Sequence, residues 1–400
     1  MKFSGVDITA GGDVTQERGG LYIHVAYCRK KCIYCDFFSA GARIADWHGY
    51  VDALCSEFNA RIKEMACPFR TVYVGGGTPS LMPCEEFVRL FDNLKPYLKD
   101  IEEFTIEVNP DDVNEKYLQV WKSAGVNRLS IGIQSFDDKV LASLGRLHDA
   151  SSACRAYELS RRYFDNISVD LMFGLPGQTV DMWTADLKKV VAMRPEHISA
   201  YSLMYEEGTA LTLMRDCGRM AEMPDDTCEK MFLVLVNELK KAGYEHYETS
   251  NFALPGYRSI HNSSYWRQMP YLGIGPSAHS YDGLRTRKSN RADLRGYIDC
   301  WSSMQGKDST FNYGKNEGLV DMEVLTDDEL REEYILTRMR TREGIDVDDF
   351  ERRFGVKESR RLLARAKFRI EEGSLLLEDG HLALSENAIM ISDSIIVDLA

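Results

Sequence analysis

From residue 21 to about residue 250, short apolar, β-branched runs alternate with longer amphipathic stretches. The strand candidates are "LYIHVAY" (21–27), "TVYVGG" (71–76), "EFTIEV" (103–108), "RLSIGIQS" (128–135), "NISVDLMFG" (166–174) and "HISAYSLMY" (197–205). Most are near-continuously apolar, the pattern of strands buried on both faces of a parallel sheet. Between them Trp47, Tyr50, Val51, Leu54, Phe58, Ile62 and Met65 recur at helical steps, as do Phe87, Leu90, Phe91, Leu94 and Leu98. A further helical set, Cys228, Met231, Phe232, Leu235, Val236 and Leu239, stops at Gly243. Strand and helix repeat about six times, which predicts an α/β fold with a partial, TIM-like (β/α)6 barrel over a doubly wound sheet.

The pattern changes after about residue 310. "TDDELREEYILTRMRTREGIDVDDFERRFG" predicts a capped, charged helix pair, and "LLLEDGHLALSENAIMISDSIIVDL" a hairpin followed by a last helix. The expected organisation is a flexible leader at 1–19, a barrel at 20–255, a connecting segment at 256–310, and a small α+β, winged-helix-like domain at 311–400.

Barrel enzymes place their chemistry at the C-terminal ends of the strands. The unusual residues fall there: three cysteines after the first run, "GGGTPS" after the second, "EVNP" after the third, "QSF" after the fourth, and "DLMFGLPGQT" across the end of the fifth.

At 400 residues and 44% hydrophobic, the chain can bury one large core and a smaller one. Its net charge of −13 argues against a nucleic-acid partner. No apolar run is long enough to span a membrane, and the first twenty residues lack the apolar core of a secretory signal. Seven of the ten cysteines (Cys55, Cys67, Cys84, Cys154, Cys217, Cys228 and Cys300) are scattered without paired spacing, as expected of a reduced, cytoplasmic protein.

The other three, Cys28, Cys32 and Cys35, follow C-x3-C-x2-C. Four thiolates close a structural zinc site, and His24 is the available fourth ligand for that alternative. An iron–sulfur cluster of the [4Fe–4S] type needs four ligands, so three thiolates leave one iron open to the amino and carboxylate groups of S-adenosylmethionine (SAM). The spacing favours the open cluster.

"CRKKCIYC" together with "GGGTPS" resembles the radical-SAM superfamily, and most closely its branch of oxygen-independent coproporphyrinogen dehydrogenases and HemW heme chaperones. The resemblance covers about residues 20–400 and implies a HemN-type C-terminal domain. It implies that Cys28, Cys32 and Cys35 hold the cluster and that Tyr22, Tyr34, Gly76, Gly77, Thr78, Glu107, Gln134, Arg146 and Asp170 contact SAM. The dehydrogenase pattern has a fourth cysteine two residues after the third. Here that position is Phe37, as in the chaperones.

"HNSSYW" at 261–266 matches the HNxxYW signature of those chaperones, which implies heme handling by His261, Asn262, Tyr265 and Trp266. An imidazole suits a heme iron, and aromatic faces suit a macrocycle. His279 is a secondary candidate. Downstream, Arg285, Arg287, Lys288, Arg291 and Arg295 form a basic run, read either as a solvated face paired within the fold or as a site for heme propionates or an anionic membrane surface. The function expected from the resemblance is a heme chaperone with heme and heme-accepting proteins, membrane-bound respiratory enzymes among them, as partners. Coproporphyrinogen decarboxylation and radical modification of heme are the enzymatic alternatives.

Overall fold

The computed structural model describes residues 18–304 and 319–400. Apart from Arg18 and Gly19, the expected leader lies outside the described residues. Six parallel strands lie side by side in chain order: β1 (Gly19–Val25), β2 (Phe69–Gly76), β3 (Glu103–Val108), β4 (Arg128–Gln134), β5 (Ile167–Phe173) and β6 (His197–Ser202). Helices Trp47–Arg61, Cys84–Leu94, Glu115–Ser123, Ala150–Ser160 and Val180–Met193 follow the first five strands in turn. The barrel is open. Beyond β1 the sheet continues through Tyr271–Ile274, His279–Tyr281, Thr286–Asn290 and Val320–Val324; beyond β6 it ends with Asn251–Ala253 and Glu245–Glu248.

The sequence predicts most of these strands to be near-continuously apolar and buried on both faces; the burial agrees, and the structure corrects the apolar character. Both faces are largely buried, but only one is apolar. Val72 and Val74 of β2, Leu129 and Ile131 of β4, and Val169 and Leu171 of β5 join the core beneath the helices. Their neighbours Tyr73, Arg128, Ser130 and Asp170 line an interior cavity. A two-residue period puts consecutive side chains on opposite faces, so a barrel with a polar interior needs this alternation.

Local signals set the helix boundaries. Asp46 caps Trp47–Arg61 through Gly49 N, Thr179 caps Val180–Met193 through Met182 N, and Gly243, at φ +88°, ends the turn after Asp225–Lys241.

The short helix Ile260–Trp266 closes the floor of the barrel, at the N-terminal ends of β1, β2 and β3. Its first turn is held by Glu103, the opening residue of β3. The Glu103 carboxylate accepts from Ile260 N (2.8 Å), His261 N (2.9 Å) and Ser259 Oγ (3.2 Å). An anionic oxygen at a helix N-terminus satisfies orphan donors and meets the positive end of the dipole.

The C-terminal unit has its own apolar core around Tyr334, Ile335, Phe350, Leu362, Leu382 and Ile395. Helix Asp327–Met339 opens with a capping box between Thr326 and Glu329, helices Val347–Phe354 and Val356–Glu371 follow, and strand His381–Leu384 pairs with Leu375–Glu378 on one side and Ile345–Asp346 on the other. The basic run is paired within the chain. Arg285 meets Asp327 (2.9 Å), Arg287 meets Glu333 (2.7 Å), Lys288 meets Glu64 (2.8 Å), Arg291 meets Asp321 (3.0 Å) and Arg295 lies 3.9 Å from Asp299. Two of these pairs, from Arg285 just before strand Thr286–Asn290 and from Arg287 within it, reach the start and middle of the first C-terminal helix.

Glu103→Ala should lower the free energy of unfolding by about 2 kcal/mol, because three donors lose one charged acceptor. Urea denaturation of the variant beside the parent chain measures this, and a change below about 0.5 kcal/mol would show that water replaces the carboxylate at no cost.

Candidate functional site

The strand ends surround a cavity of about 500 Å³. Cys28, Cys32, Tyr34, Cys35, Gly76, Gly77, Thr78, Glu107, Gln134, Arg146 and Asp170 all line it. Tyr22 does not: it is half-buried on β1, its hydroxyl 3.1 Å from His24 Nδ1. Of the HNxxYW residues only Asn262 reaches the cavity, from the floor. A second cavity, about 670 Å³, lies between Glu245–Phe252 and the C-terminal unit and contains none of the expected residues.

The cysteine loop is tied down on both sides. Ile33 donates its N–H to Leu144 O (3.3 Å) and accepts at its carbonyl from Leu211 N (2.9 Å). Tyr34 packs into the apolar group of Leu144, Met172, Leu203 and Leu211. Two sulfurs have donors: Thr78 Oγ1 lies 3.3 Å from Cys28 Sγ and Arg146 Nη1 3.6 Å from Cys32 Sγ. Burial pushes the Cys35 thiol up to about 11.

His24 is not available as a fourth ligand. Its Nε2 bonds the Phe38 carbonyl oxygen (2.9 Å), and a carbonyl only accepts, so Nε2 carries the proton. Nδ1 then accepts from Tyr22, which leaves no lone pair for a metal. Among the described residues no three His, Cys, Asp or Glu side chains converge on a point that one metal ion could occupy. The engaged imidazole of His24 therefore does not offer itself as the fourth ligand of a three-cysteine zinc site. Three thiols spread around a cavity, two of them facing donors, suit a cluster with one open iron.

The glycines at the end of β2 serve the backbone first. Gly76 has φ +110°, and a Cβ there would lie 2.8 Å from the His24 ring; one on Gly77 would lie 2.6 Å from Tyr27 O. Their missing side chains make room for the end of β1 as well as for any ligand. At the end of β4, Gln134 has φ +69°, and the pairing with β5 slips between Gly132 and Gln134. A left-handed non-glycine at a strand end beside a cavity is the strain expected at a binding site.

Glu107 accepts from Tyr73 Oη (2.9 Å) and Gly76 N (3.1 Å). Burial, with the Asp170 charge adding to it, raises its pKa from 4.5 to about 7. Asp170 is likewise raised by burial, against hydrogen bonds that include those from Ser130 Oγ (3.0 and 3.1 Å). Two buried carboxylates thus face a cavity in which a ligand's cation would relieve their desolvation. Arg146 supplies the opposite charge. Its Nη2 donates to Gly132 O (2.6 Å) and Asn109 Oδ1 (2.9 Å), while its buried Nε has no partner in the protein. An orphaned guanidinium donor and two raised carboxylates that line one cavity suit the carboxylate and ammonium of an amino acid such as the methionyl end of SAM.

His261 is only 2% exposed. Its Nδ1 lies 2.7 Å from Thr71 Oγ1 and its Nε2 2.8 Å from Tyr265 Oη, and burial takes its pKa down to about 3. Both nitrogens are engaged, Tyr265 is part of the same contact, and Trp266 lies under the Arg340 guanidinium (5.3 Å). Ligation of heme by His261 requires one of these bonds to open. His279 is exposed on its short strand.

Asn109, Arg128, Ser130, Ser199, Tyr201 and Met204 line the cavity without having been expected there. A polar residue between apolar ones in a strand, as in "RLSIG" and "ISAYS", was the available signal for Arg128, Ser130, Ser199 and Tyr201.

Residues 22–190 match the radical SAM superfamily and residues 325–391 the HemN C-terminal domain. These matches, with the open barrel and its three-cysteine mouth, define a radical-SAM protein, and that class implies a [4Fe–4S] cluster and SAM. The chain is 34% identical over 339 residues to "Heme chaperone HemW" of Bacillus subtilis, covering 84% of this chain and 86% of the relative. It is 35% identical over 312 residues to the protein of that name in Escherichia coli, covering 74% and 81%. Identity to the mitochondrial radical S-adenosyl methionine domain-containing protein 1 of Bos taurus is 32% over 395 residues, 96% of this chain and 87% of the relative. The chain belongs to the HemW family. Its fold is also that of coproporphyrinogen III oxidase (HemN) from Escherichia coli, with a TM-score of 0.79 over 96% of this chain and 90% of that one at 20% identity.

Two outcomes test the site. A buried acid whose folded pKa exceeds its unfolded one favours folding at low pH and loses that contribution as pH rises from about 4.5 to about 7. Glu107→Gln should therefore match the parent apo-protein's stability at low pH and exceed it by on the order of 1–3 kcal/mol above neutrality. Denaturation at several pH values reads the difference, and parallel curves would refute the raised pKa. Separately, Cys28→Ala should lose most bound iron and sulfide after anaerobic reconstitution; full retention would sink the ligand assignment.

Proposed function

We propose that the chain takes up heme and passes it to acceptor proteins, as a cytoplasmic carrier on a cluster- and SAM-binding scaffold. The relatives' names support this reading, and one feature of the chain itself carries it. At the mouth of the cysteine-lined cavity, where the dehydrogenase pattern has a fourth cysteine, Phe37 presents a ring that is 62% exposed. Met204, 68% exposed, lines the same mouth. Other large apolar side chains of this chain are as open, Leu284 and Phe368 among them, but Phe37 and Met204 share one cavity mouth, and an aromatic face beside a thioether suits a flat macrocycle.

The bound cluster and SAM supply one-electron chemistry and an open iron. The chain's residues bind and orient. Cys28, Cys32 and Cys35 hold the cluster, and Arg146 and Glu107 offer opposite charges to the two ends of an amino acid. Phe37 and Met204 offer the apolar surface, and Lys30, on the same cavity, offers a cation to a propionate. This reading seats heme at the rim and leaves His261, Tyr265 and Trp266 closing the floor. Among the described residues no helix is long and apolar enough to cross a membrane, so a membrane-bound acceptor would be met from the surface.

The test is hemin titration of the reconstituted protein, followed by transfer to an apo-acceptor. Phe37→Ala with Met204→Ala should weaken hemin binding at least tenfold, whereas His261→Ala should not. Failure of the unmodified chain to bind hemin, or catalytic conversion of coproporphyrinogen III in excess over protein, would overturn the carrier reading.

A further inference from the structure

Asn109, a residue to which neither the motif nor the proposed function gives a role, sits where two hydrogen-bonded paths meet. The inner path runs between two cluster cysteines. Thr78 Oγ1 donates to Cys28 Sγ (3.3 Å) and accepts from Asn109 Nδ2 (3.3 Å). Asn109 Oδ1 accepts from Arg146 Nη2 (2.9 Å), and Arg146 Nη1 donates to Cys32 Sγ (3.6 Å). The amide is used at both ends, oxygen to the guanidinium and nitrogen to the hydroxyl, so its orientation follows from its partners. The outer path fixes the backbone. Asn109 N donates to Ser80 Oγ (3.1 Å), Ser80 donates to Asp112 Oδ2 (2.8 Å), and Asp112 pairs with Arg29 (2.6 Å), the residue after Cys28. Pro110 keeps Asn109 extended, at φ −85° and ψ 140°, which aims its side chain along the rim.

We propose that Asn109 is a positioning residue that joins the SAM-facing guanidinium to the cluster thiolates. It holds Arg146 by its oxygen. With its nitrogen it occupies the Thr78 oxygen, so that the Thr78 hydroxyl proton is directed at Cys28. Donors to cluster sulfurs raise the cluster's reduction potential and orient the ligands. Whatever draws on Arg146 is thereby coupled to the sulfur environment at Cys28, across the ends of β2, β3 and the segment after β4. Cys35 lies outside this arc, so two of the three thiolates are set apart from the third.

The test uses the anaerobically reconstituted full chain and reads the cluster by EPR during redox titration, with and without SAM. Asn109→Asp keeps an acceptor for Arg146 but removes the donor to Thr78, whose hydroxyl then has a carboxylate to prefer over Cys28. It should load the cluster fully, shift the midpoint potential to more negative values, and diminish the SAM-induced change in the EPR signal. Thr78→Val should shift the potential in the same direction. Asn109→Ala, which also frees Arg146, should bind SAM about tenfold more weakly. If Asn109→Asp keeps the parent potential and SAM response, the arc transmits nothing and the proposal falls. Loss of cluster from Asn109→Asp in a chain with native circular dichroism also overturns it, since that outcome belongs to a purely structural role. The readout is independent of heme, so loss of the carrier reading leaves this test intact.

Discussion

The Glu103 carboxylate connects residues more than 150 positions apart, and the site's geometry depends on it. It stands at the start of the third strand and takes three hydrogens from residues 259–261. Without a floor, the lower end of the barrel would open to solvent, and water would compete for the interior hydrogen bonds. The helix that Glu103 holds fills that end. It puts His261 on Thr71 and Tyr73, sends Asn262 toward the cavity, and sets Trp266 against Arg340 of the C-terminal unit. The floor, the cavity and the second core are thus joined by a segment of seven residues.

The upper end follows a different logic. There the strand ends carry residues that satisfy one another only in part. Glu107 and Asp170 are buried carboxylates with raised pKa values, Arg146 keeps an unpartnered Nε, and Gln134 is held in a left-handed conformation. Such residues lower stability in an empty cavity and gain partners when a charged ligand enters. The contrast between a floor held by Glu103 and His261, where Trp266 Nε1 alone among the buried side-chain polar atoms of its helix lacks a partner, and a mouth of part-satisfied charges separates the structural end of the barrel from its chemical end.

This contrast also separates the two motifs that looked alike as sequence. "CRKKCIYC" and "HNSSYW" each combine a possible metal ligand with aromatics. The cysteine loop lies open at the mouth, two of its sulfurs facing donors, whereas His261 has both nitrogens occupied and almost no exposure. The basic run shows the same effect of context, since each of its five cations faces a carboxylate of the same chain.

The order and type of the six strands, the helices between them, and the change of pattern before the C-terminal unit were legible in the sequence, because each depends on short-range periodicity and on caps such as Thr179, Thr326 and Gly243. The cysteine motif was legible because Cys28, Cys32 and Cys35 lie within eight residues, and the structure brings all three to one cavity. Residues whose partners are remote were not. Arg128 and Ser130 face a cavity because the sheet curls around that face, and Asn109 matters because Thr78 and Arg146, from other strand ends, meet at its amide. Which of two similar histidine- or cysteine-bearing motifs would be open to a ligand was likewise decided by tertiary structure alone, since exposure and lone-pair occupancy depend on neighbours that the chain supplies only after folding.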